Sequence, residues 1–379
     1  MIELINSNAL RIPLEDESIQ MCVTSPPYWN LRDYGLSDQL GLEKTPEEYV
    51  DNLVCVFREV KRVLRKDGVL FLNLGDSYAG SGRGNNPNGK QGTNKGTLFD
   101  PDNSGYVPNG LKPKDLIGIP WRVAFALQAD GWWLRSDIIW HKPNPMPESV
   151  TDRPTKSHEY MFLLTKSARY YYDADAVREP HKQISIDRTK RPWNGNRDTG
   201  SIDASYSGMD ISKMCHPAGR NLRSVWTIPT QSYSGAHFAT YPEKLVEPCI
   251  KAGTSEKGCC PECGKPWKRV VEKSGVTRER NLKINTDKSL MGINEAHRLN
   301  GKDYIHANIA TNRWQPTCSH NAEPVPCVVL DPFVGSGTTL LVARNLGRSA
   351  IGLDLSYTYL HDQASKRLEL DKLKKWTNA

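Results

Sequence analysis

The chain has no long apolar run, and none approaches the roughly 20 residues that a membrane-spanning helix needs. It has no internal repeat, and its first residues, Met1-Ile2-Glu3-Leu4, lack the basic start and apolar core of a signal peptide. Neither sign of charge dominates, since 50 Lys and Arg stand against 43 Asp and Glu, a net charge of +7. With 379 residues, 38% of them hydrophobic, and a mean hydropathy of −0.58, we expect a soluble, cytoplasmic protein of one large domain with insertions, or of two domains.

The nine cysteines are odd in number and unevenly spaced, which favours thiols or a metal site over disulfides in a chain without an export signal. Cys260 and Cys263 have the Cys-x-x-Cys spacing of a zinc knuckle, and Cys318 and His320 follow beyond a polar, basic stretch. Four ligands of this kind suit a structural zinc ion (Zn2+), with Cys259 as an alternative to Cys260. Reduced thiols without a metal are the competing interpretation.

Two adjacent prolines stiffen the stretch Thr24-Ser25-Pro26-Pro27-Tyr28-Trp29, which follows a strand-like run at 19–23. A rigid loop at the carboxyl end of a strand is a usual place for a site in an open α/β sheet. Ser25 and a proline carbonyl can accept the N–H protons of an exocyclic amine, while the aromatic rings stack on a flat heterocycle. A packed turn with structural aromatics is the alternative interpretation.

A buried strand, a glycine-rich turn and a helix start are predicted for residues 328–339, with Asp331 at the end of the strand. Another strand at 351–354 ends on Asp354, and an acid in this position suits the hydroxyls of a ribose. The turn lacks the lysine of a phosphate-binding P-loop, and its spacing is not G-x-G-x-x-G. A plain nucleotide-binding loop is the alternative.

Together these two blocks resemble the DNA amino-methyltransferases, which transfer a methyl group from S-adenosyl-L-methionine (SAM) to the exocyclic nitrogen of cytosine or adenine. Asp-Pro-Phe-Val-Gly-Ser-Gly-Thr-Thr at 331–339 resembles the SAM loop of that family, and Ser-Pro-Pro-Tyr at 25–28 resembles its catalytic loop. The catalytic loop precedes the SAM loop, which is the order of the family's β group. Ser-Pro-Pro-Tyr-Trp is most typical of cytosine-N4 enzymes, whereas adenine-N6 enzymes more often carry Asp or Asn at the position of Ser25.

The resemblance implies a role for each matching residue. The catalytic residues would be Ser25, Pro26, Pro27 and Tyr28. The residues that bind SAM would be Thr24, Phe238, Ala239, Thr240, Pro242, Asp331, Pro332, Phe333, Gly335, Ser336, Gly337, Thr338, Thr339 and Asp354. The amine attacks the methyl group directly, so no cysteine nucleophile is needed and Cys22 is expected to be inert.

The resemblance further implies a Rossmann-like α/β fold in circularly permuted order, with a mostly parallel sheet, helices on both faces and a small zinc-binding insertion. Residues 1–78 and 115–177 would form the catalytic half of the core, and 225–257 with 323–379 the SAM-binding half. Three insertions are predicted, namely a flexible basic loop at 79–114, a candidate target-recognition segment at 178–224 and the zinc knuckle at 258–322.

Apolar periodicity predicts a helix at 46–66, ended by Asp67-Gly68 before a strand at 69–74. A charged amphipathic helix is predicted from Ser356 to Trp376. Between 140 and 159, a Trp-x-Lys-Pro…Arg…His-Glu layout resembles the wall of the family's flipped-base pocket. Strand-end packing and a local ion pair are equal alternatives for each of these residues.

The first functional hypothesis is a site-specific SAM-dependent methyltransferase that acts on cytosine N4 of double-stranded DNA by base flipping and direct transfer. The same fold acting on adenine N6 is the alternative, and a non-catalytic zinc-containing nucleic-acid-binding protein is the third hypothesis. RNA or protein-amide substrates are less favoured, because of the basic insertions and the motif order. The resemblance implies a monomer or homodimer in a prokaryotic cell or phage-infected host, with no membrane partner and a cognate restriction endonuclease as a candidate partner.

Overall fold

The computed structural model describes residues 1–31, 34–80, 107–190, 215–216, 218–231, 240–274 and 308–370. Residues 81–106, 191–214 and 275–307, which belong to the three predicted insertions, lie outside this description. The chain divides into two compact units, one of Met1–Val177, Arg223–Lys268 and Pro316–Ala379, the other of Arg178–Leu222 and Arg269–Gln315. The roles predicted for the insertions stay predictions.

The described residues form ten strands and five helices of eight residues or more. The strands are β1 (Ile2–Asn6), β2 (Ile19–Thr24), β3 (Leu64–Leu74), β4 (Trp133–His141), β5 (His158–Thr165), β6 (Val225–Thr227), β7 (Lys268–Ser274), β8 (Asn308–Gln315), β9 (Val328–Asp331) and β10 (Ser349–Asp354). The helices are α1 (Pro46–Val63), α2 (Ile119–Ala129), α3 (Gln183–Lys190), α4 (Glu243–Gly253) and α5 (Thr338–Asn345).

Eight strands of the first unit form one sheet in the order β1-β10-β9-β2-β3-β5-β4-β6. Strand β5 runs antiparallel to both of its neighbours, and every other pairing in this sheet is parallel. The predicted mostly parallel sheet is therefore confirmed. The strands of the two distant blocks, β2 and β9, are direct neighbours at its centre through Met21–Val329 and Cys22–Leu330.

Helices cover both faces of the sheet, as predicted. One face packs Cys22 and Leu70 into a core with the buried residues of α1 and α2. The alternate residues of the same strands face α4, because a side chain at Gly253 would meet Met21 and Val69 within 3 Å. Helix α5 packs against α4, β9 and β10.

Helix α1 begins as predicted but ends earlier. The Thr45 side chain accepts a hydrogen bond from the Glu48 N–H at 3.2 Å, with Pro46 in the first turn. The predicted end at Lys66 is wrong, because the fully buried Leu64 has an extended backbone. Leu64 is the first residue of β3, and it pairs with Ile19 of β2. Residues 65–68 then bulge out of the strand before pairing resumes.

The C-terminal helical segment is shorter than the predicted helix. It consists of α6 (Tyr357–Tyr359), a π-helical turn (Leu360–Ala364) and α7 (Ser365–Arg367). Glu369 has a φ of 51°, a left-handed conformation that ends the helix, and residues 371–376 lie outside the described part of the chain. Tyr359, directly before the π turn, lies 3.7 Å from the position that a Cβ on Gly335 would take. The start of the π turn is therefore close to the SAM loop.

The second unit contains α3 and a two-stranded sheet of β7 and β8, which the sequence did not predict. The Arg269 guanidinium lies 4.5 Å from the centroid of the Trp314 ring across this small sheet. Strand β6, at the edge of the large sheet, was not predicted either, because three residues are too few for a recognisable alternation. Among the described helices, none is long and apolar enough to cross a membrane.

Candidate active site

The catalytic loop and the SAM loop follow two neighbouring parallel strands, so they leave the sheet at the same edge. Thr24, the last residue of β2, donates a hydrogen bond from its Oγ1 to Oδ1 of Asp331 at 2.7 Å. Both side chains are buried. Two blocks that are about three hundred residues apart in the sequence therefore meet in one place.

The carboxylate of Asp331 is enclosed by four donors. Oδ1 accepts from Thr24 and from the Phe333 N–H at 3.1 Å, and Oδ2 accepts from Tyr241 at 3.0 Å and Thr339 at 2.6 Å. Burial raises the pKa of the Asp331 carboxyl, although these hydrogen bonds act to lower it. Asp331 thus joins the end of β2, the SAM loop and the segment before α4.

Two glycines shape the turn of the SAM loop, since Gly335 and Gly337 have φ values of 50° and 84°. The Gly335 N–H donates to Oδ2 of Asp354 at 3.2 Å, which ties the turn to the end of β10. Pro332 is buried and Phe333 packs partly into the core, so these two residues support the turn from beneath. The turn therefore favours glycine at both positions.

Asp354 lies half-buried beside this turn and also accepts a hydrogen bond from the Ser356 N–H at 2.9 Å. Burial raises the pKa of its carboxyl to about 6, against the lowering effect of these backbone donors. Asn6, at the end of β1, donates to the Asp354 and Leu355 carbonyl oxygens at 3.0 and 2.9 Å. Asn6 thus supports the chain around Asp354 through backbone contacts.

Arg367 of α7 reaches back to the SAM loop, a contact that the sequence did not indicate. Its guanidinium donates to Ser336 Oγ at 3.0 Å and Thr338 Oγ1 at 2.7 Å. It also pairs with Glu243 of α4 at 3.1 Å, and its side chain is only 9% exposed. One arginine therefore holds two predicted SAM-loop residues and the start of α4 together.

The segment before α4 contributes Tyr241 to the same place. Its hydroxyl lies within hydrogen-bond distance of Asp331 and Thr339. Pro242 is the N-cap of α4, one residue before the helix begins, and Thr240 is half-buried. Phe238 and Ala239 lie outside the described residues, so their predicted contact with SAM stays a prediction.

The catalytic loop is anchored at its second proline and at Trp29. The Tyr49 hydroxyl of α1 donates to the Pro27 carbonyl at 2.8 Å, and Trp29 Nε1 donates to the Glu43 carbonyl at 3.1 Å. Within the part of the chain that the structure describes, no protein donor reaches the carbonyl of Pro26. The half-buried Ser25 places its hydroxyl 3.5 Å from that of Tyr28.

Tyr28 is fixed at both ends of its ring. Its hydroxyl donates to Glu159 Oε2 at 2.8 Å and lies 3.0 Å from Asn73 Oδ1, a second acceptor for its single proton. The ring lies against Gly75, where an added Cβ would be 2.5 Å from Cε2 of the tyrosine. Burial raises the pKa of Tyr28 well above its ordinary value, and the charge of Glu159 raises it further, so the phenol stays protonated.

The predicted wall of the base pocket contains ion pairs at the ends of β4 and β5. Lys142 pairs with Glu159, and Arg153 pairs with Glu148 at 2.6 Å. The local ion pairs that the sequence left open as alternatives are therefore present, and contact of these residues with a base stays a prediction. The Asp76 carboxylate accepts from two backbone N–H groups at the start of α2, so it is a helix cap and not a free acid.

Cys22 is a buried thiol below the catalytic loop, and four other residues form a cluster of candidate metal ligands. Burial raises the pKa of Cys22 well above its ordinary value, and Asp331 adds to this, as expected for an inert thiol. The cluster has one ligand atom from each residue, all within 4.8 Å of one another, from Cys260, Cys263, Cys318 and His320. Cys259 lies elsewhere, since its sulfur accepts a hydrogen bond from the Cys327 thiol.

Comparison with known proteins gives the family. The N6/N4 DNA methylase family model matches residues 19–260 and 325–366. Type II methyltransferase M.SmaI of Serratia marcescens is 36% identical over 346 residues, which are 91% of this chain and 83% of that protein. Type II methyltransferase M.Cfr9I of Citrobacter freundii is 48% identical over 241 residues, 64% of this chain and 68% of that protein.

One solved structure, that of the PvuII DNA methyltransferase (cytosine-N4-specific), covers 98% of this chain and 87% of its own. Its TM-score of 0.50 at 16% sequence identity shows a likeness in fold. The family match spans both halves of the core, and the relatives extend over most of the chain. The chain therefore belongs to the SAM-dependent DNA amino-methyltransferases.

Proposed function

We propose that this protein methylates the exocyclic N4 of cytosine at a specific site in double-stranded DNA. The observation that carries the proposal is the contact between Thr24 and Asp331, which brings the catalytic loop beside the SAM loop. Serine at position 25 favours cytosine, because this is the residue typical of the cytosine-N4 enzymes that the loop resembles.

Ser25 and Pro26 would act on the target amine. The cytosine amine is a poor nucleophile, because its lone pair is delocalised into the ring. The Ser25 Oγ and the Pro26 carbonyl oxygen would each accept one N–H proton and favour a more tetrahedral nitrogen. The attack is direct, and the nitrogen releases a proton only after it has become positive, so no strong base is required.

Tyr28 would stack on the base after it leaves the duplex, on the ring face opposite Gly75. SAM supplies the electrophilic methyl group when bound. The residues proposed to hold it are those of the SAM loop, Thr240 and Pro242 before α4, and Asp354, whose carboxylate suits ribose hydroxyls. Phe238 and Ala239 belong to the same proposal.

The test is methylation of unmodified genomic DNA with SAM, followed by mass spectrometry of the nucleosides and sequencing that reports modified positions. We expect N4-methylcytosine at one recurring sequence and loss of the product with Ser25→Ala. N6-methyladenine would overturn the cytosine assignment and establish the adenine alternative. Absence of methyl transfer to any DNA would favour the third hypothesis, a non-catalytic zinc-containing nucleic-acid-binding protein.

A cognate restriction endonuclease is part of the proposal, because the relatives are Type II methyltransferases. Such a methyltransferase would protect its own site from cleavage. A monomer or homodimer is proposed as the working form. The measurement is cleavage of methylated and unmethylated DNA by an endonuclease specific for the mapped sequence. Protection of the methylated DNA alone is the expected result.

We also propose that Cys260, Cys263, Cys318 and His320 hold a structural zinc ion. Three thiolates and one imidazole are the donor set of known structural zinc sites, and the close approach of the four ligand atoms fits it. The Cys260 sulfur lies 3.4 Å from Nδ1 of His320, as neighbouring ligands of one ion would. The ion would fasten the knuckle to the segment that leads into β9.

Metal analysis of the purified protein tests this site. We expect one zinc per chain, lost in Cys263→Ser and retained in the matched control Cys55→Ser, whose thiol is exposed on α1. Chelation is expected to lower the Tm of the wild-type protein and not that of Cys263→Ser. A zinc content that is unaffected by Cys263→Ser would overturn the proposal.

A further inference from the structure

Glu159 lies where the catalytic loop meets the start of β5, and both of its carboxylate oxygens are engaged. Oε2 accepts from the Tyr28 hydroxyl at 2.8 Å and from Asn73 Nδ2 at 3.3 Å, while Oε1 pairs with Lys142. The side chains of Glu159 and Lys142 are only 16% and 18% exposed. A carboxylate bound in this way acts on its protein neighbours and not on a substrate.

Asn73 completes the cradle around the tyrosine hydroxyl. Its Nδ2 donates to the Tyr160 carbonyl at 3.0 Å as well as to Glu159, which orients the amide so that Oδ1 faces Tyr28. The hydroxyl therefore lies between two acceptors, and the ring beneath it rests on Gly75. These contacts fix the plane of the ring and leave it little freedom to tilt.

Lys142 supplies the charge that a largely buried carboxylate needs, because an unpaired ion is costly away from water. Its Nζ also lies 4.3 Å from the centroid of the Trp140 ring, which holds the ammonium group at the end of β4. The ion pair thus joins Glu159 of β5 to the residue that directly follows β4, and the hydroxyl of Tyr28 bonds to it from the catalytic loop.

We propose that Glu159, held by Lys142, is a positioning residue that sets the ring plane of Tyr28 for the target base. This rests on the role proposed above for Tyr28 as the stacking residue. A tilted ring would displace the base from its acceptors at Ser25 and Pro26, and a misplacement of about 1 Å can reduce a rate about 100-fold. The carboxylate would therefore influence transfer through Tyr28 alone.

The experiment is a double-mutant cycle of Tyr28→Phe and Glu159→Gln in the full chain, on a duplex containing the mapped site. Tyr28→Phe keeps the ring and removes the hydroxyl, and Glu159→Gln keeps the shape and removes the charge. Glu59→Gln is the matched control, because it breaks a partly buried ion pair with Arg62 on α1, and its carboxylate bonds to Arg62 and the Ile12 N–H and not to Tyr28. The readouts are the single-turnover transfer rate, the SAM Kd, and the fluorescence of 2-aminopurine at the target position.

Glu159→Gln is expected to lower the transfer rate about 10- to 100-fold, with the SAM Kd unchanged within twofold and altered 2-aminopurine fluorescence. In the Tyr28→Phe background, Glu159→Gln should lower the transfer rate less than twofold, because the hydrogen bond between residues 28 and 159 is already absent. Glu59→Gln should stay within threefold of wild type. Lys142→Met leaves Glu159 in place but removes its ion-pair partner, and it should also lower the transfer rate about 10- to 100-fold. This variant serves as a second test if Glu159→Gln folds poorly.

Multiplicative effects of the two changes in an active protein would overturn the positioning role, because Glu159 would then act independently of the tyrosine. A wild-type rate for both Glu159→Gln and Lys142→Met would overturn it as well. A wild-type protein that transfers no methyl group to DNA would overturn the proposed function itself, and this inference with it.

Discussion

The SAM loop and the catalytic loop lie side by side, but different interactions fix their conformations. The polar side chains of the SAM loop point into the protein, where Asp331 accepts four hydrogen bonds and Arg367 holds two hydroxyls. In the catalytic loop, prolines fix the backbone, and Ser25 and Pro26 carry the oxygens that we propose as acceptors for the target amine. The difference suits a preformed cradle for one ligand beside a rigid set of acceptors for another.

This difference predicts a division of effects between the two loops. A change in the catalytic loop should lower the rate of transfer and leave SAM affinity intact, whereas a change in the SAM loop should do the reverse. Each prediction below either sharpens that division or breaks it.

The largest effect is expected for Tyr28→Ala. Loss of the ring removes both the stacking surface, worth about 1–3 kcal/mol per base, and the alignment of the base, so the transfer rate should fall about 1,000-fold. The SAM Kd should change less than twofold, as measured by calorimetry. Phe125→Ala, an exposed aromatic of α2, is the control and should transfer at the wild-type rate. A large loss of SAM affinity in Tyr28→Ala would break the division.

Asp331→Asn should show the opposite pattern. The amide keeps the size of the carboxylate but cannot accept from all four donors, and charge-assisted hydrogen bonds contribute about 2 kcal/mol each. We expect the SAM Kd to rise about 30-fold and the Tm to fall, with the rate at saturating SAM within a few-fold of wild type. A normal SAM Kd combined with a lost rate would place Asp331 on the catalytic side instead.

The sequence predicted the strands that carry the two loops better than the side-chain contacts that join them. Strands β2, β9 and β10 are short, mostly apolar runs of six, four and six residues between turn signals, and this local pattern predicts their positions. The contacts that organise the site are different, because Tyr241, Glu159 and Arg367 each bind a partner that is far away in the sequence. Nothing in a local pattern encodes such a partner.

The end of α1 and the C-terminal helix were mispredicted for a related reason. Leu64 has a good helical position by periodicity, but the sheet offers it a fully buried place beside Ile19. Likewise, the helical pattern after Ser356 continues beyond the left-handed Glu369. At Leu64, tertiary packing overrides a weak local preference for the helix.

The pH dependence of SAM affinity is the third test, and comparison of the wild type with Asp354→Asn isolates the contribution of Asp354. Its pKa of about 6 means that the carboxylate is ionised above this pH and protonated below it. If ribose hydroxyls bind the ionised form, the SAM Kd should rise up to about tenfold between pH 7 and pH 5. Asp354→Asn should bind weakly at every pH, with a flat profile.

Stability should move in the other direction. The folded pKa lies above the ordinary value of 3.8, so ionising this carboxyl costs stability above pH 6, and that cost disappears as the pH falls towards 4. At pH 5 the Asp354 carboxyl should weaken SAM binding without destabilising the fold. This combination would separate the effect of pH on SAM affinity from its effect on stability. Equal pH profiles of the SAM Kd for wild type and Asp354→Asn would remove Asp354 from the SAM site.

The smallest effect is expected for Arg367→Met, because this side chain supports the SAM loop from behind. Loss of its hydrogen bonds to Ser336 and Thr338 should loosen the turn and raise the SAM Kd about fivefold, with no change in the transfer rate at saturating SAM. Arg344→Met is the matched control, since Arg344 donates to the Leu368 carbonyl of the same C-terminal region and not to the SAM loop. Equal losses in the two variants would show that the packing of the C-terminal segment matters and that the two hydroxyl contacts do not. A loss confined to Arg367→Met would show that the rigidity of the cradle depends on this one residue from outside the loop, whereas the catalytic loop has its stiffness from its own prolines.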